Sequence, residues 1–447
     1  MKSAFVFLGV GMVGLLCIQG LETKGMAQGN TSSNSVTGAW IVTGDVYGST
    51  VYFRITLEQN GTAVTGTVGG QKATGTLTGD TLHLIAAQSN GVSSEVTATY
   101  ANGSLAGTEV QTYGGDTAHA RVVKFTAVPI PARPDAPPQR HEFTPTVFYR
   151  QYSPFNPPVL TVNPGDTIHT MTVDAGGVDE HGVHRVQGGN PETGPFYIES
   201  AMPGDTLVVH VIRLRLNRDD AGTDDSIVES ALNSSLAVRT HDNNKNVRWH
   251  LDSEKGIATP MDSSPAMAHF SVPLHPMLGC IATAVNPSSA PPGTGDSGSY
   301  GGNMDFNEIA EGSTVYLPVA NPGALLYFGD GHALMGDGEI NGNALETSMD
   351  VEVTVDVIPG KRLDFVRVET PTHIISMGLE GDLDDAIRSA TDNMARWLAQ
   401  DYKLNPSEIA QVIGTTAEYK VSEVADRNSG IVLKLRKDIL QTLQPAK

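Results

Sequence analysis

Between residues 37 and 128, apolar and polar positions alternate with the two-residue period of a half-buried strand. The runs are Trp40 to Thr43, Thr50 to Leu57, Ala63 to Val68, Thr81 to Ala87, Val96 to Tyr100 and Ala118 to Val128. Glycine turns separate them, as at Gln59-Asn60-Gly61, Thr78-Gly79-Asp80 and Asn102-Gly103. Even spacing and tight turns predict a small, separate antiparallel β-barrel over 37–128. Its histidines, His83 and His119, read as ordinary strand residues. Five prolines between Val128 and Arg140 then make residues 129–140 an extended linker.

From His141 to Lys447 the pattern stays mainly β and predicts a sandwich- or barrel-type core with a small α-containing C-terminal part. Runs at Val159 to Val162, Thr167 to Val173 and Gly194 to Ile212 are strand-like, and two of them meet at Pro-Gly-Asp-Thr turns (Pro164 to Thr167, Pro203 to Thr206). That similarity suggests a repeat. Arg213 to Asp225 reads as a charged loop and residues 236–255 as an excursion. Near the end, Leu383, Ala386, Ile387, Ala390, Met394 and Leu398 keep helical spacing behind the capping residue Asp382. Pro406 to Val412 reads as a second, short helix.

The first residues depart from all of this. Lys2 precedes an apolar run from Ala4 to Ile18, and Gly25-Met26-Ala27 follows. This is the pattern of a secretory signal over residues 1–27, and the run is short of the roughly 20 residues that a membrane span needs. A lipoprotein anchor at Cys17 is disfavoured, because the large Leu16 stands where such motifs carry a small residue. Cleavage near Ala27 leaves Cys280 as the single cysteine, so no internal disulfide is expected. The implied location is periplasmic or secreted.

The 447 residues carry a formal net charge of -20, which argues against nucleic acid and anionic membrane as partners. With 48 glycines, 26 prolines and 17% charged residues, the composition is that of a turn-rich fold rather than a disordered chain. The candidate chemistry concentrates in Phe328 to Glu346, where Asp330, His332, Asp337, Glu339 and Glu346 are punctuated by glycines. Flanked by strand-like segments, it reads as a glycine-rich turn. Carboxylates with one imidazole form the ligand set of a hard or borderline divalent metal. Acid and glycine also describe an ordinary solvated turn. The doubled Gly-Asp-Gly, each copy followed within two residues by His332 or Glu339, favours the first reading, because residues two apart in extended chain share a face. Spacing for a calcium helix-loop-helix is missing. A thiol hydrolase built on Cys280 is disfavoured by its apolar surroundings. Gly295-Asp296-Ser297-Gly298 resembles a serine-protease motif, but the matching histidine would lie in the other domain.

Ordered blocks then carry a family resemblance. They are Val173-Asp174-Ala175-Gly176-Gly177; Gly194-Pro195 with Ala201-Met202-Pro203-Gly204-Asp205; His275-Pro276-Met277-Leu278-Gly279; Gly301-Gly302-Asn303-Met304-Asp305; and Gly329-Asp330-x-His332 with Gly336-Asp337-Gly338-Glu339. Residues 141–430 resemble the acetamidase/formamidase family, while the N-terminal block resembles small lipocalin-like β domains. The family resemblance implies hydrolysis of small linear amides to carboxylate and ammonia, a divalent metal (zinc, or else calcium), and a homo-oligomer. It implies Asp174, His332 and Asp330 as metal ligands, Glu339 and Asp337 as catalytic residues, and Asn303 and Asp305 as substrate-binding. Glu339 would be the general base. Hydrolysis of cyclic amides and a non-catalytic binding protein with a structural metal stand as alternatives.

Overall fold

Strand Met349–Ile358 shows how the larger part is built. Met349, Val351, Val353, Val355 and Val357 are buried, while Asp350, Glu352, Thr354 and Asp356 alternate on the other face. This strand sits inside a nine-stranded sheet. The sheet's apolar face shares one core with a six-stranded sheet, whose Phe196 and Phe328 stack at 5.3 Å. The result is a two-sheet sandwich, as the alternation of its strands requires. The structure, a computed structural model, describes residues 35–87, 91–239 and 245–443. The expected signal segment, residues 1–27, lies outside the described residues.

Two strands of the six-stranded sheet, Met277–Thr283 and Leu326–His332, are buried along their whole length. They are central strands covered on both faces. The stretch read from sequence as a turn therefore begins inside a strand: Phe328 to His332 are strand residues, and the turn follows them. Only such a fully covered strand brings Asp330 and His332 into the interior.

The N-terminal block is a closed barrel of eight antiparallel strands between Gly38 and Pro129. Six were legible in the sequence. The two others, Gln71–Thr78 and Ser104–Tyr113, are rich in polar residues and interrupted by glycine. Those glycines are needed for close approach. A Cβ on Gly75 would lie 1.8 Å from the carbonyl oxygen of His83, and one on Gly107 would lie 2.1 Å from that of Thr97.

The two Pro-Gly-Asp turns are structural equivalents. The Asp166 carboxylate accepts from the Asn163 amide at 2.9 Å, and Asp205 accepts from Met202 at 2.8 Å. The amide of Gly165 donates to Val355 of strand Met349–Ile358, and that of Gly204 to Val319, just past the end of strand Thr314–Pro318. Each turn also receives an arginine from outside the sandwich. Arg133 of the linker donates to the Pro164 carbonyl at 3.2 Å; Arg54 of the barrel donates to Pro203 at 2.7 Å and to the buried Asp205 at 2.5 Å. Barrel and sandwich are thus pinned together through one guanidinium. Arg54→Ala leaves Asp205 with only backbone donors. We expect a loss of about 2 kcal/mol, reduced from the buried-pair value because Arg54 is partly exposed. Urea unfolding measures it, and a loss near zero would place the docking energy elsewhere.

Two other expectations need correction. Arg213 to Asp225 is not a loop: strand Thr206–Leu216 runs on through it, and Asp220–Asp224 is a strand. Its charges lie on the outer face, where Arg213 pairs with Asp350 at 2.7 Å. The excursion after it folds into a four-stranded sheet with Asn246–Asp252, Ile257–Pro260 and Val272–Pro273. Trp249, Leu251 and Ala258 of that sheet pack against Ala333 and Leu345.

The C-terminal helix Leu383–Asp401 is capped by Asp382, as its sequence predicts, and Asn405 caps Pro406–Thr416. Ala386, Ala390, Met394 and Leu398 lay the longer helix onto Leu433 and Leu435.

Candidate metal centre

Antiparallel pairing sets His332 opposite Met277 and Gly331 opposite Leu278. The loop after strand Gly301–Asn303 folds back so that the Met304 amide donates to Gly279 at 2.9 Å, which carries Asp305 inward. Gly279 makes room for what meets there. A Cβ at that position would stand 2.5 Å from both an Asp305 and an Asp330 carboxylate oxygen. Beyond strand Leu326–His332 the chain turns, Gly342 donates to the Glu339 carbonyl, and Glu346 returns to bridge His332. Three of the acids, Asp305, Asp330 and Glu339, hold positive φ of 37°, 55° and 46°. That backbone costs on the order of 1 kcal/mol or more at each non-glycine residue and clusters at functional sites.

These elements converge on one atom. His332 Nε2 lies 3.2 Å from Glu346, 3.5 Å from Asp330, 3.8 Å from Asp305 and 4.0 Å from Glu339. All five side chains are buried. Yet both His332 nitrogens, both Asp305 oxygens and one oxygen each of Asp330 and Glu346 make no hydrogen bond. Buried charge of this kind is costly unless paired. A divalent cation answers that need, and the donor set of one imidazole with carboxylates suits one. Among the described residues, three groups have ligand atoms close enough to hold an ion: Asp305, His332 and Glu339; Asp330, His332 and Glu346; Asp305, Glu423 and Asp426.

The electrostatics agree. Burial raises the Asp305 carboxyl well above its ordinary range, helped by Glu339 and Asp330. Burial likewise raises Glu339 against the pull of His332, and pushes Glu346 to about 7, Asp426 to about 6 and Glu423 to about 10. For His332, burial opposes the charge, but Glu346 and Asp330 outweigh it and raise the imidazole. The cluster demands positive charge, as protons or as a cation.

The residues singled out from the sequence separate here. His332, Asp330, Asp305 and Glu339 come together in the cluster. Asn303 stands beside it: its side-chain oxygen accepts from Asn190 at 2.7 Å and from the Cys280 thiol at 2.9 Å, and its amide nitrogen donates to Asp426. Asp174 is at the rim, ion-paired with Arg218 at 2.6 Å and accepting from the Val178 amide at 2.8 Å. Asp337 points outward. Its side chain is 57% exposed and meets Lys420 at 3.0 Å and Asn307 at 2.9 Å.

Three acids of the centre have no role assigned from the sequence, and two of them, Glu423 and Asp426, are not singled out there at all. Glu346 sits in the motif stretch but lacks its glycine frame. Glu423 and Asp426 arrive from the C-terminal strands, through hydrogen bonds linking Gly338 to Ser422 and Val424. Glu192 lies behind Asp330, buried, with neither oxygen hydrogen-bonded.

Cys280 is inert by its surroundings. Burial, then Glu192 and Asp330, push its thiol well up, so it stays protonated. Iodoacetamide should leave Cys280 of the folded protein unlabelled in a mass spectrum; an adduct there at neutral pH would revive the thiol-hydrolase reading.

Residues 294–401 match the Acetamidase/Formamidase family. Two solved structures align over almost their full length. An acetamidase from Yersinia enterocolitica superposes with a TM-score of 0.59 and 25% identity, covering 68% of this chain and 94% of that one. An acetamidase from Bacillus halodurans gives 0.57 and 26%, covering 68% and 99%. The larger part of the chain is therefore acetamidase/formamidase-like, in sequence over residues 294–401 and in fold beyond them. Among curated relatives the alignments are short: 43% identity to an acetamidase of Mycolicibacterium smegmatis over 61 residues, 13% of this chain and 15% of that one. The family segment includes Asp305, Asp330, His332, Glu339 and Glu346, five members of the buried centre.

Proposed function

We propose that this chain is an exported, metal-dependent amidohydrolase that cleaves the C–N bond of linear amides to carboxylate and ammonia. The observation that carries the reading is the His332 imidazole ringed by four buried carboxylates, three of them (Asp305, Asp330 and Glu346) with unpartnered atoms, inside the segment that matches an amidase family. His332, Asp330 and Glu346 would hold the ion, with Asp305 beside them; zinc suits the imidazole, and calcium would lean on the carboxylates. When bound, a divalent cation supplies Lewis-acid polarisation of an amide carbonyl and acidifies water.

The chain's own groups do the rest. Glu339 is buried and fixed by the Ala344 amide, which donates to it at 3.0 Å. Its affinity for a proton is raised by burial above that of an ordinary carboxylate, the direction that suits a general base. It takes a proton from the attacking water as the new C–O bond forms. It returns that proton to the nitrogen as the C–N bond breaks, so ammonia leaves with no net change in the protein. Asp174, held by Arg218, faces the cavity beside Glu346 and orients the substrate.

The leader over residues 1–27 is the ground for export, and the family resemblance is the ground for self-association. No helix among the described residues is long and apolar enough to cross a membrane. The test is ammonia release from formamide and acetamide, before chelation, after it, and after zinc is returned. Release that vanishes on chelation and returns with metal is expected. Metal-loaded protein that releases no ammonia from any amide would refute the reading.

A further inference from the structure

The two carboxylate oxygens of Asp330 sit in different settings. Oδ1 lies 3.5 Å from His332 Nε2 and makes no hydrogen bond. Oδ2 accepts from the side-chain amide of Asn190 at 3.2 Å. The Cys280 thiol stands 3.6 Å from the same oxygen, but it has one proton and lies closer, at 2.9 Å, to the side-chain oxygen of Asn303. Asn190 is therefore the firmer donor. One oxygen of Asp330 is held by the protein, and the other is left beside His332, where a cation would sit.

The same Asn190 nitrogen donates to Asn303 Oδ1 at 2.7 Å, and an amide NH2 has two protons to give. It thereby ties strand Leu326–His332 to strand Gly301–Asn303 across the strand that lies between them, Met277–Thr283. The backbone suits this reach. Asn190 holds a φ of 52°, a left-handed conformation that asparagine adopts more readily than most side chains. The amides of Gly189 and Asn190 both donate to the Ala175 carbonyl, at 2.9 and 3.2 Å, and Thr294 Oγ1 donates to the Gly189 carbonyl at 3.0 Å. The segment is pinned from two sides, so the position of the amide is set by the fold.

We infer, resting on the metal reading above, that Asn190 is a positioning residue of the centre: by holding one oxygen of Asp330 it aims the other at the cation. Partners that orient a metal's ligand in this way are worth about ten- to a hundred-fold in metal affinity.

The experiment titrates zinc, and in a second series calcium, into chelated wild-type protein and chelated Asn190→Gly, with calorimetric readout. Glycine accepts the left-handed backbone, so the substitution removes the amide without adding strain. Asn190 also lines the cavity of about 680 Å³ that reaches Glu346, so water can refill the space, but a mobile water does not fix the direction of the carboxylate. The Kd of the variant should rise by about ten- to a hundred-fold. Should the metal-free variant not fold, as judged by its melting temperature, it is prepared with zinc in place and the transfer of zinc to a chelator is timed; release should be about ten-fold or more faster than from wild type. An unmoved Kd in the folded variant, or an unmoved release rate, overturns the inference. So does a lowered melting temperature with a wild-type Kd, which is the mark of a merely structural residue. Wild-type protein that binds neither zinc nor calcium would instead refute the metal reading and carry this one with it.

Discussion

Glu339→Gln should lower kcat by about a hundred- to ten-thousand-fold and leave KM within a few-fold, the range for loss of a positioned acid–base group. The substitution keeps the shape and the carbonyl that accepts from Ala344, and removes only the proton-accepting charge. It should not harm the fold. In metal-free protein Glu339 repels Glu346 and Asp330, so its neutral replacement should hold or raise the melting temperature. Reading kcat and melting temperature together separates catalysis from structure. Unchanged turnover would remove Glu339 from the mechanism. Loss of turnover with loss of bound metal would move it into the ligand set.

The stability of metal-free protein should fall as pH rises from about 5 to about 8, and added divalent metal should reverse the fall. The sign follows from the carboxyls. Glu346 rises from an ordinary 4.5 to about 7 on folding, chiefly by burial, so the folded state holds its proton more tightly than the unfolded state. Its contribution is complete below the unfolded value and is lost as pH passes through 7. Asp426, raised from 3.8 to about 6, and Glu423, raised from 4.5 to about 10, act in the same direction. At 1.36 kcal/mol per unit, Glu346 alone is worth about 3 kcal/mol across its window. A bound cation replaces those protons, so the gap in melting temperature between loaded and metal-free protein should widen toward about pH 8. Calorimetry on chelated and reloaded samples decides it. A metal-free melting temperature that rises over the same range would mean the cluster is not built as described.

The barrel and the sandwich were legible because their strands are half-buried, and a half-buried strand must alternate. Legibility failed where another constraint took over. Gln71–Thr78 and Ser104–Tyr113 carry glycines because neighbouring backbone leaves no room for a side chain, and those glycines interrupt the apolar alternation that marks a strand. The charges of Arg213 to Asp225 hid the end of strand Thr206–Leu216, whose outer face is laced by ion pairs, and the whole of Asp220–Asp224.

The centre divides in the same way. By itself the sequence determined only that Asp330 and His332, two apart at the end of an apolar run, share a face where the chain is extended. It also determined the blocks that carry the family resemblance. It did not distinguish Asp337 from Glu339, two acids in one motif. That choice was tertiary: Glu339 turns inward on a positive φ, while Asp337 meets Lys420 at the surface. Asp305 joins the centre because Gly279 leaves room for it, and Glu423 and Asp426 because the C-terminal strands pair onto Gly338. Such contacts join residues tens of positions apart along the chain, and local periodicity says nothing about where distant segments meet. The packing of the two sheets decided which acids lost their water, and so which of them could hold a cation.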